Sequence, residues 1–319
     1  MNTQSKMMPE AAGKSSLTSA PVTPMRTLLW SVRRELWENR FIYLAPLAVA
    51  GVFLLGFLVT LPHLPARMRA LSATENAAAV HMHTGAIYSP TQITPYDFAA
   101  GLMMLTTIMV GLFYCLDALH SERRDRSILF WKSLPVSDGT VVVAKASVPF
   151  VILPLLATAL GSALHLIMLT LSSVILMGSG QSAAALWTEL PWFKMSFLLF
   201  YHIITAHALW PAPVYSWLLL VSGWARRAAF LWATLPVIAI TALEQLLFHS
   251  WHFAIMVGLR LIGAHPGMSG EPRDVFPTDP MAHIMPGAFF SMPGLWIGFA
   301  VAAIFLYAAM RQRRYRGPV

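Results

Sequence analysis

Charge is what this chain has least of. Only 11% of its 319 residues are Asp, Glu, Lys or Arg, while 57% are hydrophobic; an average soluble domain carries about 25% charge. A soluble domain of this length needs a charged surface, and there is too little charge here to cover one. Disordered, collagen-like and nucleic-acid-binding classes fall away too, since each needs polar, repetitive or charge-dense sequence. A single cysteine, Cys115, excludes a disulfide framework within the chain and any cysteine-rich metal site. It sits in an apolar run and reads as packing. Acidic residues are also few, 14 against 22 basic ones, so the chain carries a net +8 whose placement needs explaining. What remains is an all-α integral membrane protein.

Crossing the hydrocarbon takes about 20 mostly apolar residues in a helix, because every backbone polar group there must be satisfied internally. Six stretches qualify: 41–61, 98–119, 147–177, 195–222, 228–248 and 288–310. The third would run about 46 Å at 1.5 Å per residue, so it must tilt, kink or project, and Pro149 and Pro154 offer a place to bend. Pro211 and Pro213 predict an irregular fourth span. Residues 1–23, rich in Ser, Thr, Ala and Pro without an apolar core, read as a disordered cytoplasmic tail rather than a signal peptide.

With the N-terminus inside, the outer loops hold only Arg67, Arg69, Lys194, Arg260 and Arg273, leaving seventeen of the 22 basic residues on the inner side. That asymmetry predicts cytoplasmic termini, with 311–319 as a basic cytoplasmic tail. It also accounts for the positive charge with no nucleic acid as partner.

Residues 24–40, PMRTLLWSVRRELWENR, precede the first span. At 100° per residue, Met25, Leu28, Leu29, Val32 and Leu36 fall within an arc of about 100°, while Thr27, Ser31, Arg34 and Glu38 face away. Trp30 and Trp37 flank the apolar stripe beside Arg26 and Arg33. This is the composition of a helix lying in the membrane interface, with indoles at headgroup depth and guanidiniums reaching lipid phosphates.

The loop between spans two and three, residues 120–145, reads HSERRDRSILFWKSLPVSDGTVVVAK and holds eight of the chain's 36 charged residues. Arg123, Arg124 and Arg126 precede the run Ile128-Leu129-Phe130-Trp131; Leu134-Pro135 then stops the helix. Ser137 and Asp138 offer an N-cap to the following span. Large aromatics on a helix outside the bilayer must pack on something, either lipid headgroups or a partner protein.

The stretch ERRDRSILFWKSLPVSDGTVVVAK resembles the first cytoplasmic loop of ABC-2 type ABC-transporter permeases. The resemblance implies an ABC-2 permease-like fold, with six transmembrane helices preceded by an amphipathic interfacial elbow helix. It implies that residues 120–145 form the coupling loop on which a separate ABC ATP-binding subunit docks, carrying ATP and Mg, with no cofactor on this chain. Glu122, Arg123, Arg124, Asp125 and Arg126 would open the coupling element. Phe130, Trp131, Leu134 and Pro135 would supply its apolar contact, and Lys132 would complete it. A second permease chain, as a homodimer, and membrane lipids are the further partners implied, in a bacterial cytoplasmic membrane and with export as the direction.

No nucleotide site is expected on the chain itself. Gly13-Lys14-Ser15 lacks the earlier P-loop glycine, whose place Met8 takes, and no strand precedes it. Gly178-Ser179-Gly180-Gln181 falls in an outer loop. The chain is therefore not expected to be an enzyme. Ionisable groups inside spans are functional suspects. Asp117 lies near Arg123 and Arg124 along the chain and could pair with either of them. His165 lies in span three. His202 and His207, about 140° apart on a regular helix, and Glu244 in span five are candidates for a pathway or gate. Histidine and methionine in the outer loops (His81-Met82-His83, His249, His252, His265, Met268, Met281, His283 and Met285) suit copper or zinc by ligand type. Their spacing is loose, and no metal site is assigned. A histidine-using membrane redox protein and a non-transporting ABC-2-like scaffold or sensor stay open as alternatives.

Overall fold

A computed structural model describes residues 23–70, 90–133, 136–263 and 286–315. Every regular element among them is a helix. Helix α1 (Pro24–Glu38) starts with proline at its first turn, where the missing N–H costs nothing, and ends at Asn39. Then come α2 (Phe41–Thr60), α3 (Pro90–Asp117), the short α4 (His120–Arg124) and α5 (Ser127–Ser133), α6 (Asp138–Ser147) and α7 (Leu153–Gly178). The second half holds α8 (Ala184–Glu189), α9 (Trp192–His202), α10 (Ala212–Trp224), α11 (Ala229–Phe248), α12 (His252–Ile262), α13 (Pro286–Phe290) and α14 (Pro293–Tyr315).

Among the described residues, five helices are long and apolar enough to cross a membrane, and six if one bent pair counts as a span. The large apolar side chains they leave uncovered, such as Leu44, Val52 and Leu55 on α2 and Phe230, Ile238 and Leu246 on α11, suit lipid as solvent and not water. The architecture is that of an α-helical, membrane-embedded protein.

Two spans are irregular where prolines fall. Helices α6 and α7 run as one 41-residue unit, about 60 Å long at 1.5 Å per residue. That is twice the hydrocarbon thickness, so α6 projects beyond it. They are joined by a π-turn at Val148–Ile152, where the wider turn makes room for the ring of Pro149. The fourth span has a π-helix at Ile203–Leu209 and bends by 47° before Ala212. Ser137 caps α6 as its position predicts, its Oγ accepting the Thr140 N–H at 3.0 Å.

Helices α3, α7, α10 and α14 form the centre of the bundle, with α1 and α6 across one end. Tyr114, Cys115, Leu153, Tyr215 and Leu219 fill the core near that end. Leu164, Met168, Leu176, Leu186 and Met195 fill it towards the other. Gly111 lets the Tyr215 ring approach α3, since a Cβ there would sit 3.2 Å from it.

Candidate functional site: a buried ionic junction under the 120–145 loop

The end of the bundle that carries α1, α4, α6 and the last turns of α10 and α14 is knitted by charge. Lys145, on α6, is the only cation in the run Val141–Ile152. A lysine in such apolar surroundings is retained only with carboxylate partners. Its Nζ donates to both oxygens of Glu35 on α1, at 2.9 and 3.0 Å, and lies 3.2 Å from Glu122 Oε1 on α4. Arg34 donates to Glu122 at 2.8 Å and to Glu35 at 3.1 Å. Arg313, near the end of α14, pairs with Glu122 and holds Asp138 at 3.2 Å. The Tyr114 hydroxyl donates to Glu35 Oε2 at 2.9 Å. Lys145, Arg34 and Arg313 face Glu35, Glu122 and Asp138, with Glu38 beside Arg34 at the rim, so each of these charges keeps an opposite partner.

Five elements thus meet on one carboxylate pair. Removing two opposite charges from water costs several kcal/mol per ion, repaid only when each charge keeps close partners. The junction therefore fixes how α1, α4, α6 and α14 sit against one another more than it adds to net stability. At its edge, burial pushes the Glu38 carboxyl up from its ordinary range, against the pull of Arg34 at 3.3 Å.

The structure divides the expected coupling residues into two groups. Glu122 and Arg123 face inward and are buried. Arg123 donates to the carbonyls of Gly223 and Ala225 at 2.8 and 3.3 Å, capping the C-terminus of α10, where orphan carbonyls favour a cation. His120 Nδ1 lies 3.2 Å from the same Ala225 carbonyl. Arg124, Asp125, Arg126 and Lys132 are exposed. Arg124 pairs with Asp125 at 3.1 Å; Asp117 acts on it from beyond ion-pair distance and lines a groove with Phe41 and Phe113. Arg126 turns the chain between α4 and α5 at φ 57°, a left-handed conformation that costs a non-glycine residue about 1 kcal/mol. On α5 the structure buries Ile128 and exposes Leu129. Phe130 and Trp131 lie on that helix, but their side chains, like all of Leu134 and Pro135, are outside the described residues.

The gate candidates are dispersed. His202 ends α9, with its Nδ1 2.9 Å from the Leu198 carbonyl. His207 is buried in the π-segment, where an i→i+5 turn sets residues 202 and 207 one turn apart, not on the diverging faces a regular helix predicts. Glu244 caps α12: it accepts from Ser250 Oγ at 2.7 Å and from the backbone N–H groups of His252 and Phe253 at 3.0 and 2.9 Å. His165 Nε2 lies 3.0 Å from the Tyr96 carbonyl in the interior. Among the described residues no three His, Cys, Asp or Glu side chains gather as metal ligands do. His81, His83, His265 and His283 and Met82, Met268, Met281 and Met285 lie outside them, as do residues 1–22 and 316–319 of the two expected tails.

Among the buried groups that escaped the sequence reading are Glu35 and Arg260. Glu35 was signalled only by its partner, the lone lysine at 145. Arg260, at the opposite end, stacks on the Trp210 ring at 4.5 Å and donates to the carbonyls of Trp210 and Gly294 at 2.7 and 2.6 Å. It ties α12 to the bend of span four and the start of α14.

No family model matches this chain, and neither a curated protein nor a solved structure does.

Proposed function

We propose that this chain is the permease subunit of an ABC transporter of the ABC-2 type, an exporter that acts as a pair of such chains with two ATP-binding subunits. The observation that supports this reading best is the position of Glu122. It sits at the root of the 120–145 loop and is bound at once to α1, α6 and α14. A force applied to the exposed part of the loop therefore reaches the elbow helix and the third and last spans together, and the fourth through Arg123. A helix free to flex on its own would dissipate the same force. ATP-driven closure of the partner's two subunits would push on α5, and the junction would pass the displacement to the spans, switching the path between inward- and outward-open states. The termini and the junction face the cytoplasm in this reading, in keeping with the lysine and arginine distribution.

The test is co-purification. Full-length chain is expressed with an ATP-binding polypeptide that carries complete P-loop and ABC signature motifs. The expected result is a complex that the Phe130→Ala, Trp131→Ala double variant loses while still inserting in the membrane. Normal co-purification with the double variant overturns the assigned anchor. No complex with the unmodified chain overturns the function.

A further inference from the structure

Helix α1 is not laid on the bundle by its apolar stripe. The ionic junction turns Arg34 and Glu35 inward, and Leu28, Val32 and Leu36 are only half-buried at the edge. At 100° per residue the outward arc, about 140° wide, runs through Met25, Leu29, Arg33, Arg26, Trp37 and Trp30. All six are exposed, with Met25, Leu29, Trp30 and Trp37 between 55% and 65%. No carboxylate falls on that arc, because Glu35 and Glu38 both point the other way, to Lys145 and Arg34. Arg33 is held between two indoles, its guanidinium 5.5 Å from the Trp30 ring and 4.8 Å from the Trp37 ring. The helix ends three residues before Phe41, the first residue of an apolar span, so this face lies at the depth of lipid headgroups.

We propose that the outward face of α1 binds anionic phospholipid headgroups, with Arg33 as the central phosphate-binding group between Trp30 and Trp37. The charge decides the partner: two guanidiniums without an acid on the arc attract a net negative headgroup, and the two indoles that could receive a choline cation already hold Arg33 between them. A planar guanidinium suits a phosphate diester through paired N–H donors, and the flanking indoles prefer the interface. Met25 and Leu29 are placed to dip below the phosphates. Because the inward face is locked to α4 and α6, lipid bound outside bears on the same junction that holds the 120–145 loop.

The proposal does not depend on an ATPase and is tested without one. Full-length protein is placed in nanodiscs of phosphatidylcholine with increasing phosphatidylglycerol, and thermal unfolding is followed. Tm should rise with phosphatidylglycerol. Arg33→Gln should raise the mole fraction giving half the effect about fivefold, and Arg26→Gln with Arg33→Gln should abolish it. Arg226→Gln with Arg227→Gln, exposed cations at the same end, should leave it unchanged. Brominated phosphatidylglycerol should quench Trp30 and Trp37 emission, taken as the difference from a Trp30→Phe, Trp37→Phe variant, more than brominated phosphatidylcholine does. All these variants change exposed side chains, and their Tm in pure phosphatidylcholine checks folding. Equal Tm and quenching in both lipids, as a face reserved for a protein partner would give, overturns the proposal. So does a phosphatidylglycerol response that survives loss of both arginines.

Discussion

Lys145 and Glu35 stand 110 positions apart in the chain and meet at 2.9 Å with both side chains almost fully enclosed, 2% and 1% exposed. That one contact clamps α1 to α6, the start of the 41-residue helical unit. Glu122 then closes the clamp from the loop side.

Breaking the clamp on one side should be costly. Lys145→Met leaves two buried carboxylates facing each other, and removal of one partner of a buried pair typically costs about 3–5 kcal/mol. Unfolding in detergent should register a loss of that size. Lys145→Met combined with Glu35→Gln should recover part of it, because one carboxylate is then neutralised. A single-variant cost below about 1 kcal/mol would show that water reaches the site.

Glu38 predicts a pH effect of the opposite sign to an ordinary ion pair. Its folded pKa is raised above its ordinary 4.5 by burial, so folding disfavours its charged form. The penalty is present above the folded pKa and absent below the unfolded value, where both states are protonated. Glu38→Gln should therefore stabilise the protein slightly at pH 7, by under about 0.5 kcal/mol given the half-exposed site. The gain should vanish below about pH 4, as stability measured at the two pH values would reveal.

Gly298 makes room for Arg260. A Cβ at that position would lie 2.6 Å from Nη1 and 3.0 Å from Nη2, and the guanidinium is pinned by two carbonyls and a ring. Gly298→Ala should cost about 1–3 kcal/mol. In the background of Arg260→Ala the same substitution should cost much less, so a double-mutant cycle in Tm or denaturant midpoint reads the coupling directly.

Glu244 serves the short helix after span five. Glu244→Gln should weaken its capping of α12 by about 1 kcal/mol. The expected signature is local: faster amide exchange over His252–Ile262 with little change in global Tm. Unchanged exchange there would mean that the Ser250 and backbone contacts do not hold the helix start.

The sequence was informative wherever the physics runs along the chain. Long apolar stretches dictate helices. Ser137, three residues before Thr140, dictates a cap, and Pro149 and Pro211 dictate departures from regular geometry. The expected coupling residues were harder to read. The arginines at 123, 124 and 126 look alike in sequence, yet one is buried on the carbonyls that end α10 and two are in solvent. Glu35 looked like one more charge on an amphipathic helix until Lys145 was found against it.

Composition and hydropathy alone determined that the chain is helical, apolar and charged mostly at one end, because those properties add up residue by residue. Periodicity also fixed the angles between side chains within each helix. How each helix is rotated against its neighbours was decided only in three dimensions. That rotation turned Arg34 and Glu35 inward and Arg33 outward on adjacent positions of α1, and a buried charge settles it, since Glu35 enters the interior to meet Lys145, a cation from another part of the chain.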